Sequence, residues 1–450
     1  MDLVAAAKVR ITGLLKGHRV QDLIGAKSPV VKNFFSLSLL QLLNYSLPLI
    51  TLPYVVRTIG LDNYGKLVFA SAFIQYLIIL TNYGFNLSAP RDVSIHKGDP
   101  DKLSRIFTAI LIAQVALMLL SLAILCGALM VSARMRASEG ILLIYFSLVV
   151  SNVLSMTWLF QGIERMHYIT YLNLLSKALY ALCLFSLVRK PSDYLLIPAL
   201  SGGTELLSSS IGVLIVIRRF GIRLTAFSWE ELVTQCRRGL HIFISTIAIN
   251  AYTATPTFAI GLFTDARITG LYSVAERLAN MVQMFPLSAF LQSFYPRLSA
   301  IFAKAPSEAY RLTTLLQRIT TLTYAVATPC MMLLAPAVIR LVTGHAHHEA
   351  VVSFRLLAVS VLCINSNSFR ILFLLVSAQH RLYARIHIVS GIAGGAVIFL
   401  SAYWLRSIGP PLGAILIDLV VLVWTIIETR KRPLQSGATR QPGELVSVEQ

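Results

Sequence analysis

The chain has 450 residues, of which 56% are hydrophobic and 13% charged, with a mean hydropathy of +0.72 and a formal net charge of +19. Soluble domains carry roughly 25% charged residues, so these values exclude a soluble globular protein and fit an α-helical polytopic membrane protein. The positive charge sorts to one side of the predicted topology, which excludes a nucleic-acid surface as its reason.

The chain opens on a basic segment, 1–33, in which Lys8, Arg10, Lys16 and Arg19 interrupt every apolar core a signal peptide would need. Leu3, Ala7, Ile11 and Leu14 share one helical face, which predicts an amphipathic helix over 3–20 lying on the membrane surface. Twelve apolar spans follow, at 34–57, 65–87, 106–131, 140–161, 168–188, 194–217, 240–263, 270–296, 314–335, 351–377, 385–405 and 411–428. The connections are short except for 218–239 at the midpoint and the Gly-, Pro- and Ser-containing tail 429–450. In the midpoint segment Ser228-x-x-Glu231 is a capping box, so a short surface helix is expected there, with Trp229 at headgroup depth.

Of the 39 Lys and Arg residues, 26 fall on the side that carries both termini, nine on the other, and four inside spans. The first side is called the basic face below. Positively charged loops stay in the cytoplasm, so both termini are expected there.

The chain repeats itself. Gly65-x4-Ala70 matches Gly270-x4-Ala275, and Pro90-Arg91 through Arg105 matches Pro296-Arg297 through Arg311, both at an offset of 205. Pro198-x6-Glu205-Leu206 matches Pro411-x6-Asp418-Leu419. Each copy holds six spans and enters from the same side. The expected architecture is therefore two six-helix bundles, 34–217 and 240–428, related by a pseudo-two-fold axis along the membrane normal, with a substrate path between them.

No nucleotide-binding loop, zinc-protease motif or nucleophile elbow occurs. The five cysteines form no C-x-x-C pair, and His345-x-His347-His348-Glu349 reads as a solvated loop, so no metal is expected. The stronger signal is charge inside hydrocarbon. Lys177, Glu205 and Asp418 fall near the middle of their spans, Glu276-Arg277 lie about 9–10 Å in from one end, and Arg370 follows Asn365-Ser366-Asn367-Ser368. Each such charge would cost about 2.5–3.5 kcal/mol facing lipid, so together they imply an internal aqueous path. Arg57 and Arg355 lie near span ends, where a long side chain can snorkel. Pro48, Pro53, Pro256 and Pro286 predict kinks in both halves.

Three motifs together resemble the Wzx-type oligosaccharide flippases of the multidrug/oligosaccharidyl-lipid/polysaccharide exporter superfamily. They are Tyr83-Gly84-Phe85-Asn86-Leu87-Ser88 leading to Arg91, Trp158-Leu159-Phe160-Gln161-Gly162-Ile163-Glu164-Arg165-Met166, and Gly270-Leu271-Tyr272-Ser273-Val274-Ala275-Glu276-Arg277 with Tyr295-Pro296 downstream. Pro90 departs from the small residue expected before Arg91. The resemblance implies a multi-pass protein of the bacterial inner membrane that moves undecaprenyl-diphosphate-linked oligosaccharide repeats between leaflets by alternating access, serving O-antigen, capsule or exopolysaccharide synthesis. It implies no cofactor beyond a coupling H⁺ or Na⁺. Its implied partners are the lipid-linked sugar, membrane lipids, a polysaccharide polymerase and a chain-length regulator. On that reading Lys177, Arg277 and Arg370 bind the diphosphate-sugar headgroup, with Arg57 and Arg91 at the mouths, and Glu205, Glu276 and Asp418 couple ions. A drug or metabolite antiporter of the same superfamily shares these features. A polyprenyl-linked glycosyltransferase or polymerase is the enzyme alternative, and the short outward turns argue against it.

Overall fold

The structure, a computed structural model, describes the backbone of residues 29–431. Side chains are described over 47–429, apart from short stretches within 241–253 and 285–296 and at 380. The amphipathic helix expected over 3–20 and the tail beyond 431 lie outside the described residues, and Pro286 is among those whose side chains are not described.

The described chain is helical nearly throughout. Eight stretches are long and apolar enough to cross a membrane; two of them, Leu47–Ile95 and Arg381–Thr429, have 49 residues each, enough for two crossings at 1.5 Å per residue. With Trp229–Phe263 and Ala266–Lys304 the spans number twelve among the described residues. The first two share the helix Pro29–Asn82 and part at Gly60, whose φ of 79° and ψ of 162° end one span and start the next. The second span breaks at Tyr83 and Gly84 and resumes as Phe85–Ile95. Pro100–Val131 is the third, Met166–Leu187 the fifth, Leu196–Phe220 the sixth, Pro306–Thr343 the ninth, His380–Leu405 the eleventh and Gly409–Lys431 the twelfth.

The fourth and tenth spans are interrupted. The fourth runs Glu139–Val153 and then Thr157–Gly162; the tenth runs His348–Asn365 and then Ser368–Val376. The breaks stand about 212 residues apart, close to the offset that relates Glu205 to Asp418. Breaks at matching depth in matching spans are what a duplicated bundle requires.

One element differs from the sequence reading. Ser228 caps a helix as its motif predicts, its hydroxyl accepting from the Glu231 N–H at 3.4 Å. That helix does not stop at Arg238 but continues as the seventh span to Phe263. No proline falls in 239–245, and the single Gly239 does not end the helix, so the surface segment and the span fuse into one rod.

Packing explains the Trp158 motif. Trp158, Leu159 and Phe160 are buried with Phe85, Phe107 and Ile110 in an apolar cluster toward the basic face of the first bundle. The motif is core, and Glu164 after it reaches Lys97 at 3.1 Å.

Candidate functional site: a charged cavity under a closed face

The two halves meet most closely where the second and eighth spans cross, away from the basic face. A Cβ on Gly65 would lie 1.6 Å from the Ala266 carbonyl oxygen, and one on Gly270 would lie 2.6 Å from the Leu61 carbonyl oxygen. Only glycine admits this approach. The contact is reciprocal in the repeat register, because 205 residues separate Gly65 from Gly270 and also Leu61 from Ala266. A residue pair that exchanges roles in this way is the mark of a two-fold axis through the crossing.

Two arginines reinforce the contact from either side. Arg57, at the end of the first span, donates to the Val342 carbonyl at 3.3 Å and to that of Leu341. Arg134, just after the third span, donates to the Gly261 carbonyl at 3.1 Å and to that of Thr264. Each guanidinium crosses between halves to cap the C-terminus of a helix, the ninth span in one case and the seventh in the other, where orphan carbonyls and the dipole favour a cation. The first and seventh spans are repeat equivalents, as are the third and ninth, so the two clamps join equivalent pairs of spans, with the arginine on opposite members of the pair. Arg57 is thus a clamp of the closed face and does not enter the cavity beneath it.

That cavity measures about 320 Å³ and lies in the first bundle. Its walls bring together Lys177 from the fifth span, Glu205 from the sixth, Tyr64 and Ser71 from the second, Tyr145 from the fourth, and Arg277, which enters from the eighth span of the other half. The Arg277 guanidinium stands 5.9 Å from the centre of the Tyr64 ring, within cation–π range. Among the described residues three ion pairs form, Lys97–Glu164, Lys102–Glu231 and Arg238–Asp92, all at the basic face. Lys177, Glu205 and Arg277 belong to none of them. Lys177 and Glu205 face each other's field across the cavity, and charges at this depth that make no direct ion pair are favourable where water or a ligand can reach them. The cavity therefore offers two cations and one carboxylate to whatever fills it.

Sequence reasoning placed Lys177, Arg277 and Glu205 in one aqueous path, and the structure assembles all three. It missed the tyrosines Tyr64, Tyr145 and Tyr180 that line the same cavity. Mid-span tyrosine next to mid-span charge was the available signal, since a buried Tyr hydroxyl needs a partner.

The other predicted residues lie elsewhere. Glu276 turns away from Arg277 toward the seventh span, accepting from the Thr257 hydroxyl and from Tyr272 at 3.3 Å. Asp418 is buried in the second bundle, where it accepts from Ser360. Arg91 is exposed on Phe85–Ile95 at the basic face. Arg370 donates to the Ser366 carbonyl at 2.7 Å and lines a separate cleft. Beside Glu205, a small space of about 60 Å³ is lined by Ser155, Thr157, Asn173, Ser208 and Ser209 next to the break in the fourth span. No cluster of three or more His, Cys, Asp or Glu residues fit for a metal occurs among the described residues.

A twelve-span bundle pair around a charged internal cavity defines a multi-pass membrane protein. The chain matches the family described as polysaccharide biosynthesis protein over residues 30–302, and it belongs to that family. This bears out the Wzx-type resemblance. A protein of Escherichia coli (strain K12), provisionally named an O-antigen transporter, is 25% identical over 404 residues, which cover 90% of this chain and 97% of that protein. Among solved structures, the lipid II flippase MurJ in an inward closed conformation superposes with a TM-score of 0.66 at 11% identity, covering 87% of each chain. An inward-facing MATE-family multidrug-resistance transporter of the MOP superfamily gives 0.64 at 14%, covering 86% of this chain and 95% of that one. The chain is accordingly a transporter and not an enzyme.

Proposed function

We propose that this protein carries undecaprenyl-diphosphate-linked oligosaccharide units across the bacterial inner membrane, from the leaflet on the basic, cytoplasmic face to the opposite one. The observation that carries the proposal is the meeting of Lys177 and Arg277 on the walls of one cavity, neither of them in the ion pairs found among the described residues. A diphosphate brings the negative charge that two such cations need, and a guanidinium can grip it through two parallel hydrogen bonds. The tyrosine and serine side chains around them offer stacking faces and hydroxyls suited to sugars. The names of the E. coli relative and of MurJ support the same substrate class.

Because Arg277 comes from the second half, the cavity is complete only while the halves are closed above it. Parting them at Gly65 and Gly270 withdraws one of the two cations. Anion affinity then falls on the side where release occurs, so the closed state binds and the open state lets go. Glu205 is assigned to ion coupling, with Asp418 and Glu276 as further sites, since an intramembrane carboxylate flanked by hydroxyls and a helix break suits H⁺ or Na⁺.

Lys177→Ala and Arg277→Ala are each expected to abolish surface polysaccharide while leaving normal amounts of protein in the membrane. Normal polymer from both single variants overturns the assignment. Glu205→Gln is expected to remove the dependence of flux on the ion gradient in proteoliposomes, and an unchanged dependence counts against Glu205.

A further inference from the structure

A second cavity stands apart from the one that Lys177 and Arg277 line. A cleft of about 590 Å³ lies in the second bundle, between the ninth and twelfth spans, with the second segment of the tenth span as its floor. It shares no lining residue with the Lys177–Arg277 cavity. Arg318 and Arg370 line it together with Tyr310, Thr314, Thr321 and Thr429, and no carboxylate does. Arg318 is exposed and takes part in none of the ion pairs found among the described residues. Gln317 secures the floor: its carbonyl oxygen accepts from the Phe369 and Arg370 N–H groups at 3.0 and 3.2 Å, the Arg370 guanidinium donates to the Ser366 carbonyl at 2.7 Å, and the Thr314 and Thr429 hydroxyls donate to the Tyr310 and Thr425 carbonyls of their own helices.

The cleft opens sideways. Leu315, Ile319, Leu322 and Val326 form one exposed apolar stripe on the ninth span, and Val423 and Ile427 are exposed on the twelfth. Such stripes face acyl chains. Leu322 also lines the cleft, so the polar floor is reached across an apolar lip. Its depth is set by helix geometry. Arg318 is twelve residues past Pro306, about 18 Å along a helix of 38 residues that measures about 57 Å. A rod of that length centred on a hydrocarbon core of about 30 Å extends about 13 Å beyond it, so Arg318 stands about 5 Å inside the core boundary on the basic side. Its guanidinium reaches the phosphate level from there.

We propose that this cleft binds the phosphate of a membrane lipid drawn from the basic-face leaflet, with the lipid chains lying along the Leu315–Val326 stripe. Two guanidinium charges on one lining, with Arg318 exposed, no carboxylate on the lining and an apolar exit match an anionic lipid headgroup and its chains. An ordinary anionic phospholipid and a polyprenyl diphosphate share this chemistry.

The test is native mass spectrometry of the full-length protein titrated separately with phosphatidylglycerol, phosphatidylcholine and a polyprenyl diphosphate. Wild type is expected to retain one anionic lipid beyond its phosphatidylcholine background. Arg318→Gln is expected to weaken that retention about fivefold, the effect of one basic side chain near a membrane surface. Arg318→Lys, which keeps the charge, is expected to hold most of it. A loss confined to phosphatidylglycerol identifies a phospholipid, and a loss confined to polyprenyl diphosphate identifies the substrate class. Equal retention of both by wild type and Arg318→Gln overturns the proposal. So does a loss produced by Lys177→Ala in place of Arg318→Gln, which separates this cleft from the transport cavity.

Discussion

Gly65→Ala should hold the closed face open. The added Cβ would fall 1.6 Å from the Ala266 carbonyl oxygen, where side-chain carbons stay beyond 3.0 Å, so backbone must retreat by about 1.4 Å. No flexible side chain can absorb this, because the obstructing atoms are main chain. Overpacking of this kind costs about 1–3 kcal/mol, and the cost is charged only to the state in which the halves touch. A bias of that size moves a two-state equilibrium about 5–150-fold. The mirrored Gly270→Ala needs a retreat of about 0.4 Å, from 2.6 to 3.0 Å, and should act in the same direction more weakly. Gly127→Ala, whose Cβ meets nothing within 4 Å, is the control for helix propensity. The reporter is Ser71→Cys, a cavity-lining position, in a background without the five native cysteines. A membrane-impermeant maleimide applied to the face opposite the basic one should label it fastest in Gly65→Ala, then Gly270→Ala, then Gly127→Ala and the parent alike. Equal labelling rates in all four would refute the idea that the glycine crossing is the gate.

Two other expectations follow from the same geometry. Removing the clamps, as Arg57→Ala and Arg134→Ala, should raise labelling of the same reporter by amounts that multiply in the double variant, each worth about 0.3–2 kcal/mol as a cation at a helix C-terminus; no change in either single variant would make them surface decoration. At the basic face, Glu231 is set for a test by pH. Burial works to raise its pKa, but hydrogen bonds from Lys102 and then Gln235 outweigh it, so the carboxyl titrates below the ordinary glutamate range in the folded protein. A lowered pKa contributes stability that is present above the unfolded value and is lost as pH falls through the folded one. The thermal midpoint in detergent should therefore fall between about pH 4.3 and the folded value more steeply for wild type than for Glu231→Gln, and parallel curves would dismiss the contribution.

The twelve spans were legible because lipid imposes them. Twelve apolar stretches and the sorting of Lys and Arg follow from the cost of exposing polar groups to hydrocarbon, which acts on composition and not on tertiary detail. Lys177 and Glu205 were legible for the same reason. Arg57 was not, because a cation near a helix end reads as snorkelling whether it meets water or the carbonyls of Leu341 and Val342. Arg370 was grouped with the other deep cations by its depth in the tenth span and the polar run Asn365-Ser366-Asn367-Ser368 before it. Depth says nothing about azimuth, and the ninth and twelfth spans turn it away from the central cavity. The merger of the 228–238 helix with the seventh span was hidden by its polarity. Gln235 and Arg238 are both spent on Asp92, which ties the rod of the second half to the end of the second span in the first.

The repeat explains why the charge of the cavity is lopsided. The register that pairs Gly65 with Gly270 also pairs Ala72 with Arg277 and Tyr64 with Thr269. In the structure Arg277 lies against the Tyr64 ring, across the pseudo-axis. Its mirror image would set residue 72 against residue 269, and there the chain has alanine and a threonine whose hydroxyl donates to the Asp265 carbonyl at 2.8 Å. Cation and ring are thus present together on one side and absent together on the other. A second guanidinium at position 72 would share the low-dielectric space near the axis with the first. At a separation of about 10 Å and an effective dielectric of about 20, that repulsion alone is about 1.7 kcal/mol in the closed state, as large as the gate energies above. A duplicated scaffold can bring its two halves together on glycines, which carry no charge, but it can place a cation beside that crossing only once. The asymmetry between Arg277 and Ala72 is what allows the halves to close and the cavity still to hold an anion.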